Sequence, residues 1–254
     1  MASDCADPLA EARTRLRRAG LGLEGMLEVA RWDALVAPPF RSSSLLPGAR
    51  GAWVLGAGGR GLFAALQAAP EAGADLAHPL DTFVERVVRG AEEALRAAGF
   101  PSVAVFAHRS REGAFADFVG LAQACGLGWP SRLGLLLHPR YGPWWSLRAA
   151  LLTRAPLTST LPLPGPGPCQ GCPAPCASAC PAEAVSATGS AAPARFDVGR
   201  CAALRRRHPP CRLRCAARRA CVVGGEEAYS EAAEAHHMAA SWRVLCGSGP
   251  QAGP

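Results

Sequence analysis

Cysteine is concentrated at one end of this chain, and that asymmetry constrains the fold more than any other feature. Nine of the 11 cysteines lie beyond residue 168, and only Cys5 and Cys125 precede it. The change follows directly on Leu161-Pro-Leu-Pro-Gly-Pro-Gly-Pro168, a stretch that supports neither a helix nor a central strand. The expected organisation is a domain over 1–160, a linker over 161–168, a cysteine-rich domain over 169–246 and a flexible tail over 247–254.

The segment Cys169-Gln-Gly-Cys172-Pro-Ala-Pro-Cys176-Ala-Ser-Ala-Cys180-Pro181 has the form C-x2-C-x3-C-x3-C-P. It resembles the C-x2-C-x2-C-x3-C-P run of bacterial-type ferredoxins, with one more residue between its second and third cysteines. In those proteins three thiolates wrap one 4Fe–4S cubane and the fourth reaches the next. Such spacing is short because four sulfurs must meet on an object a few ångströms across. Downstream stand Cys201, Cys211, Cys215 and Cys221, which bring the clustered thiols to eight, the number that two four-iron clusters need. A tetrahedral zinc site, buried free thiols or disulfides, and a single cluster with spare cysteines are the alternatives that spacing leaves open.

Composition bears on partners and compartment. With 49% hydrophobic and 19% charged residues the chain is an ordinary globular one of one or two domains. Lysine, asparagine and isoleucine are absent and all 27 basic residues are arginine, which points to coding bias, so arginine alone does not signal phosphate recognition. The start, Met1-Ala-Ser-Asp-Cys-Ala-Asp, has no basic-then-apolar leader, and the greasiest stretch, 133–152, is broken by His138, Arg140 and Arg148. The expectation is a cytoplasmic protein without membrane partners, a setting in which cysteines bind metals more often than they pair. Residues 195–219 hold nine arginines and one acid, a local sum of +8 against +7 for the whole chain. That segment, with Arg205-Arg206-Arg207 at its centre, could contact nucleic-acid phosphate, offset thiolate-bound clusters or attract an acidic electron donor.

In the first two thirds, helices are expected over 5–19, 23–36, 81–98 and 114–125, with strands at 52–56 and 102–107. Phe83, Val84, Val87, Val88, Ala91, Ala94, Leu95 and Ala98 form one apolar stripe, Asp81 is placed to cap its start and Gly99 its end. Leu133–Leu137 and Trp145–Leu152 flank Pro139-Arg-Tyr-Gly-Pro143, which predicts a hairpin. Gly56-Ala-Gly58-Gly-Arg-Gly61 matches the dinucleotide fingerprint, with Asp75 near the ribose position, but in a chain with 28 glycines a plain glycine turn explains it as well. Arg148 stands in an apolar strand, so it needs a core carboxylate or an anionic ligand. His108, Glu112 and Asp117 read as solvated residues, and His236-His237, on a helix expected over 227–243, as surface or packing residues.

Gly126-Leu-Gly-Trp129, Leu135-Leu-Leu-His-Pro-Arg-Tyr-Gly-Pro-Trp-Trp145 and Leu147-Arg-Ala-Ala-Leu-Leu-Thr153 resemble the core of the epoxyqueuosine reductases, in which such segments precede a two-cluster ferredoxin module. The order here is the same, with Cys180-Pro181 and Arg200-Cys201 in matching places. The stretch is also similar to the vertebrate-type cobalamin-trafficking family that removes upper ligands from vitamin B12, through His138–Trp145 and Arg148, Trp32–Phe40 and Pro79–Val84. Together the resemblances cover about 28–221. Glu112 falls where the queuosine family carries a proton-donating aspartate, and Val222 where a proline would follow the last cysteine.

The resemblance implies an α+β chain: a nitroreductase-like mixed α/β domain followed by a cysteine-rich, ferredoxin-like module. It implies cobalamin, with Trp129, His138, Arg140, Tyr141, Gly142, Trp144 and Arg148 as cofactor-binding candidates and Glu112 as the candidate proton donor. Cys169, Cys172, Cys176, Cys180, Cys201, Cys211, Cys215 and Cys221 are the candidate metal ligands, for one or two 4Fe–4S clusters. The expected activity is an iron–sulfur oxidoreductase passing electrons to a corrinoid, for cobalamin reduction or upper-ligand removal, fed by a low-potential donor such as a flavodoxin or ferredoxin. The alternatives are an epoxyqueuosine-reductase-like enzyme that holds tRNA through 195–219, and a ferredoxin-like carrier without cobalamin.

Overall fold

A computed structural model describes residue 7, residues 9–186 and residues 196–246. They fall into two compact units, Met1–Leu127 with Trp145–Leu163, and Gly128–Trp144 with Pro164–Pro254. The segment 128–144, grouped by its sequence with the first region, thus clusters with the cysteine-rich one.

The first unit is α+β. Strands β1 (Leu23–Glu28), β2 (Gly51–Gly58), β3 (Ser102–Phe106) and β6 (Trp145–Thr153) form a sheet in the order β1-β2-β6-β3, antiparallel at every pairing. Strand β2 is buried at seven of its eight positions, because helices cover both faces. Helices α1 (Ala10–Arg18) and α5 (Pro79–Ala97) cover one face, with Phe83, Val84, Val88, Ala91 and Leu95 of α5 against Trp53, Leu55, Ala149 and Leu151. Each such Phe, Val or Leu side chain contributes roughly 1.5–3 kcal/mol on burial. The expected stripe is therefore present, but Pro79 opens the helix, and Asp81 lies in its first turn rather than at the cap. Helices α2 (Val29–Leu35), α3 (Ser42–Leu45), α4 (Gly61–Gln67) and α6 (Phe118–Ala124) complete the unit.

Three local expectations are corrected. The helix expected over 23–36 is strand β1 followed by α2: Gly25 sits where a Cβ would lie 2.4 Å from the Cys125 sulfur, an approach only a glycine strand allows. The hairpin around 139–143 keeps its turn, closed by the His138–Gly142 bridge, but its arms part. Strand β5 (Leu136–Leu137) pairs with β4 (Trp129–Pro130), and β6 runs into the main sheet. The glycine fingerprint is no dinucleotide site, since β2 has antiparallel neighbours on both sides and no parallel crossover. Its last glycine instead meets Gly20, where a Cβ would lie 2.4 Å from the Leu62 nitrogen.

The second unit carries β4, β5 and short helices α7 (Pro175–Ser178), α8 (Val198–Arg207), α9 (Pro210–Leu213), α10 (Ala216–Arg219) and α11 (Glu231–Cys246). Gly142 and Gly224 let two backbones abut. At φ +52° a Cβ on Gly142 would fall 2.0 Å from the Val223 oxygen, and at φ +71° one on Gly224 would fall 2.4 Å from the Tyr141 carbonyl carbon. Gly142→Ala and Gly224→Ala each combine left-handed strain with a backbone clash and should cost on the order of 3 kcal/mol. Thermal unfolding checks this, and an unchanged midpoint would contradict the close approach.

Candidate metal centres

Eight thiols of the second unit separate into two sets of four. Cys169, Cys172, Cys176 and Cys221 line one small cavity, under Leu133, Leu137 and Ala174. Cys180, Cys201, Cys211 and Cys215 line another, of about 350 Å³, walled by Leu133, Phe196, Val198, Leu204 and Leu245. The fourth cysteine of the compact motif therefore leaves its neighbours and joins the downstream group, and Cys221 returns to complete the first. A small apolar core holding Leu133, Cys176, Val185 and Ala217 packs among them.

Local chemistry explains these positions. The extra residue of the C-x3-C spacing is taken up at Ala174, which lies between two prolines in the left-handed region (φ 55°), buried, and opens α7. Asp197 caps α8 by accepting the Arg200 amide at 2.8 Å, which orients Cys201 one turn in. Cys215 occupies the N-cap of α10. Its sulfur accepts the Arg218 amide at 3.4 Å, and its own amide donates to the Glu234 carboxylate at 3.0 Å. Glu234 is fully buried and paired with Arg219, so the ion pair fixes the backbone that carries this thiol.

Electrostatics divide the thiols the same way. Burial pushes the Cys176 and Cys221 thiols up; Cys176 also feels Cys169 and Cys172, and Cys221 feels all three. Burial likewise raises Cys201, Cys211 and Cys215, whose neighbours are one another and Cys180, while the Arg205 charge pulls Cys201 and Cys211 back and Arg218 pulls Cys215 back. Among the described residues, no three His, Cys, Asp or Glu side chains are gathered for a single metal ion. Each set surrounds a space instead.

The remaining candidates are distributed over both units. In the second, the Trp144 ring meets Tyr229 at 5.6 Å and carries the Arg218 guanidinium at 4.5 Å, which donates to the Pro143 carbonyl at 3.1 Å. Arg140 donates to Glu227 at 2.8 Å, and Tyr141 packs on His138 with ring centres 5.0 Å apart. The Trp129 indole N–H is buried with no partner among the described residues. In the first unit, Arg148 on β6 donates to Ser146 at 3.0 Å and approaches Asp81 at 3.9 Å, so it has a carboxylate partner. His108 bonds Glu85 at 2.7 Å, and Asp117 caps α6 through the Gly120 amide at 2.9 Å. Glu112 is exposed at a tight turn with φ 52°. Arg218, Glu234 and Tyr229 were not singled out from sequence, and Arg205 was read only as part of the arginine run, although Cys201–Arg205 has helical i, i+4 spacing.

His138 yields a pH test. Burial pushes it down to about 4, and its Nδ1 accepts the Arg140 amide at 3.1 Å and the Tyr141 amide at 3.3 Å, so the neutral ring carries its proton on Nε2. The unfolded chain takes up a proton that the folded chain refuses, so stability present above pH 6.5 is lost as pH falls toward 4. His138→Asn keeps an acceptor and removes the titration. The wild type should lose more stability than this variant across that window, as read by denaturant midpoints.

No family model and no curated protein matches the sequence, but solved structures do. An epoxyqueuosine reductase with a tRNA-Tyr epoxyqueuosine-modified stem loop aligns at TM-score 0.56 and 13% identity, over 89% of this chain and 67% of that one. The epoxyqueuosine reductase of Bacillus subtilis aligns at 0.55 and 14%, over 89% and 68%. A catabolic reductive dehalogenase in complex with 3-bromo-4-hydroxybenzoic acid aligns at 0.55 and 17%, over 96% of this chain and 35% of that one. The chain thus spans about two thirds of these reductases and about a third of the dehalogenase. At such identities the shared property is the fold: that of the epoxyqueuosine reductases, as residues 126–153 led one to expect, and of the reductive dehalogenases.

Proposed function

We propose that this chain is an iron–sulfur reductase that holds two 4Fe–4S clusters and delivers electrons to a corrinoid. The observation that carries this reading is the exchange of ligands between the two cysteine sets. Ferredoxins with two clusters use the fourth cysteine of a compact motif in the same way, on the other cluster. The donor set fits the group: four thiols around a cavity, apolar walls, and buried cations opposite the charge that thiolate ligation brings. A tetrahedral zinc site is the alternative that four thiols also allow. When bound, such clusters supply one-electron transfer.

The protein's own part is to hold and tune. Cys169, Cys172, Cys176 and Cys221 would bind one cluster and Cys180, Cys201, Cys211 and Cys215 the other. Leu133 and its apolar neighbours exclude water, and the Arg218 amide supplies a hydrogen bond to the Cys215 sulfur. The corrinoid reading, with its nitroreductase-like first unit, rests on the resemblance in 126–153 and on the fold. It is supported by one orphaned donor, the Trp129 indole N–H, a group that a corrin amide could accept from. Gly142, Trp144 and Arg140 serve there by shaping the turn, since their contacts lie within the second unit. Arg148 and Glu112 stay as candidates for an anionic co-substrate and a proton donor. A low-potential protein would reduce the clusters.

A tRNA substrate has narrower support. In 195–219, Arg200, Arg205, Arg212, Arg214, Arg218 and Arg219 bond within the unit, and Arg195 lies outside the described residues. Arg206 and Arg207 are exposed, as are Arg200 and Arg214 in their surface ion pairs, so phosphate contact would fall to these four.

Two measurements test the reading. Anaerobically reconstituted full-length protein should bind about eight irons and eight sulfides, the content of two such clusters. Cys180→Ala and Cys201→Ala should lose the same electron-paramagnetic-resonance signal, and Cys169→Ala and Cys221→Ala the other. If Cys180→Ala instead removes the signal that Cys169→Ala removes, the exchange is wrong. Titration of loaded protein into cob(II)alamin should give a saturable base-off spectrum. Its absence with both clusters present would leave an electron carrier in place of a corrinoid enzyme.

A further inference from the structure

Arg205 is the most deeply buried cation among the described residues, at 3% exposure, and it lines the cavity of Cys180, Cys201, Cys211 and Cys215. It follows Cys201 by four residues on α8, so both side chains share one helical face. Two of its nitrogens are spent on α11: Nη2 donates to the Met238 carbonyl at 2.6 Å and Nη1 to the Ser241 hydroxyl at 3.1 Å. Its Nε is buried and has no partner among the described residues. No carboxylate pairs with it among the described residues; its neighbours are a carbonyl, a hydroxyl and the Trp242 ring at 5.8 Å. A buried guanidinium without a counter-anion is costly. The cost is explained if negative charge arrives in the cavity that it faces.

We infer that Arg205 sets the reduction potential of the cluster held by Cys180, Cys201, Cys211 and Cys215, raising it above the value that four buried thiolates alone would give. This inference rests on the two-cluster reading. Reduction adds one electron to the site, with no bond made or broken, and the electron comes from the low-potential donor. The reduced site is the more negative, so a fixed nearby cation stabilises it preferentially, and low local dielectric strengthens the effect. Arg205 is a tuning residue and not a catalytic one. The other site has no equivalent as deeply buried: Arg132 lines it, half-buried, and donates to the Cys169 carbonyl at 3.4 Å.

The test is a potentiometric titration of the full-length, cluster-loaded protein, followed by electron paramagnetic resonance, with no turnover required. Arg205→Gln keeps hydrogen-bonding capacity and removes the charge. Its reduced fraction for one cluster should drop about tenfold at a fixed solution potential, a downward shift of about 59 mV for one electron, while the other cluster stays put. Arg205→Lys, which keeps the charge, should stay near wild type. Ser241→Asp sets a carboxylate against the guanidinium without removing it, and should lower the same midpoint even if Arg205→Gln loads its cluster poorly. Unchanged midpoints in Arg205→Gln and Ser241→Asp, or equal shifts of both clusters, would overturn the inference. Failure of wild-type protein to show two cluster signals would instead overturn the reading beneath it.

Discussion

Four sulfur atoms can meet around one small space only if the backbone delivers them, and much of the second unit is arranged to do so. The requirement is severe because the two sets exchange members. Cys180 must leave a motif whose other three cysteines point elsewhere, and Cys221 must come back across some forty residues of chain to replace it. Short helices serve this better than long ones, since each ends where a thiol must be presented: α7 just before Cys180, α9 around Cys211 and α10 just after Cys215. The small core of Leu133, Cys176, Val185 and Ala217 is what keeps two such spaces apart.

Buried charge substitutes for the apolar mass that so small a unit lacks. Arg218 packs against both the Trp144 and Tyr229 rings and ties the 138–144 turn to the helix of Cys215. Glu234, fully buried, joins α11 to α10 through Arg219 and the Cys215 amide. Neither pairing would contribute much at the surface, where exposed ion pairs are worth little. Inside, removing one partner strands the other, so these residues are coupled to the ligand geometry.

Much of this was legible in the chain, and the failures share a cause. The long helix, the second strand, the Pro-rich break and the eight thiols follow from local pattern, where periodicity and turn chemistry decide. Residues 23–28 were misjudged because Gly25 matters through its distance to Cys125, a partner a hundred residues away that no local pattern contains. The hairpin at 139–143 failed for the same reason. Its turn is local, but the choice of strand partners is made by what each arm buries. The arginine-rich segment looked like an external charge patch, whereas Arg205, Arg212, Arg218 and Arg219 are spent on carbonyls, a buried carboxylate and rings. Which thiols belong together could not be read from spacing, since the compact motif contributes to both groups.

The return of Cys221 bears on the order in which the two sites become possible as the chain is made. Synthesis runs from the N-terminus, and segments fold as they emerge. Cys169, Cys172 and Cys176 appear first but lack their fourth partner until residue 221 has been added, whereas Cys180, Cys201, Cys211 and Cys215 are all present six residues sooner. The site begun later is therefore the one completed earlier. A nascent chain paused between Cys215 and Cys221 would hold one complete set of thiols and one waiting trio.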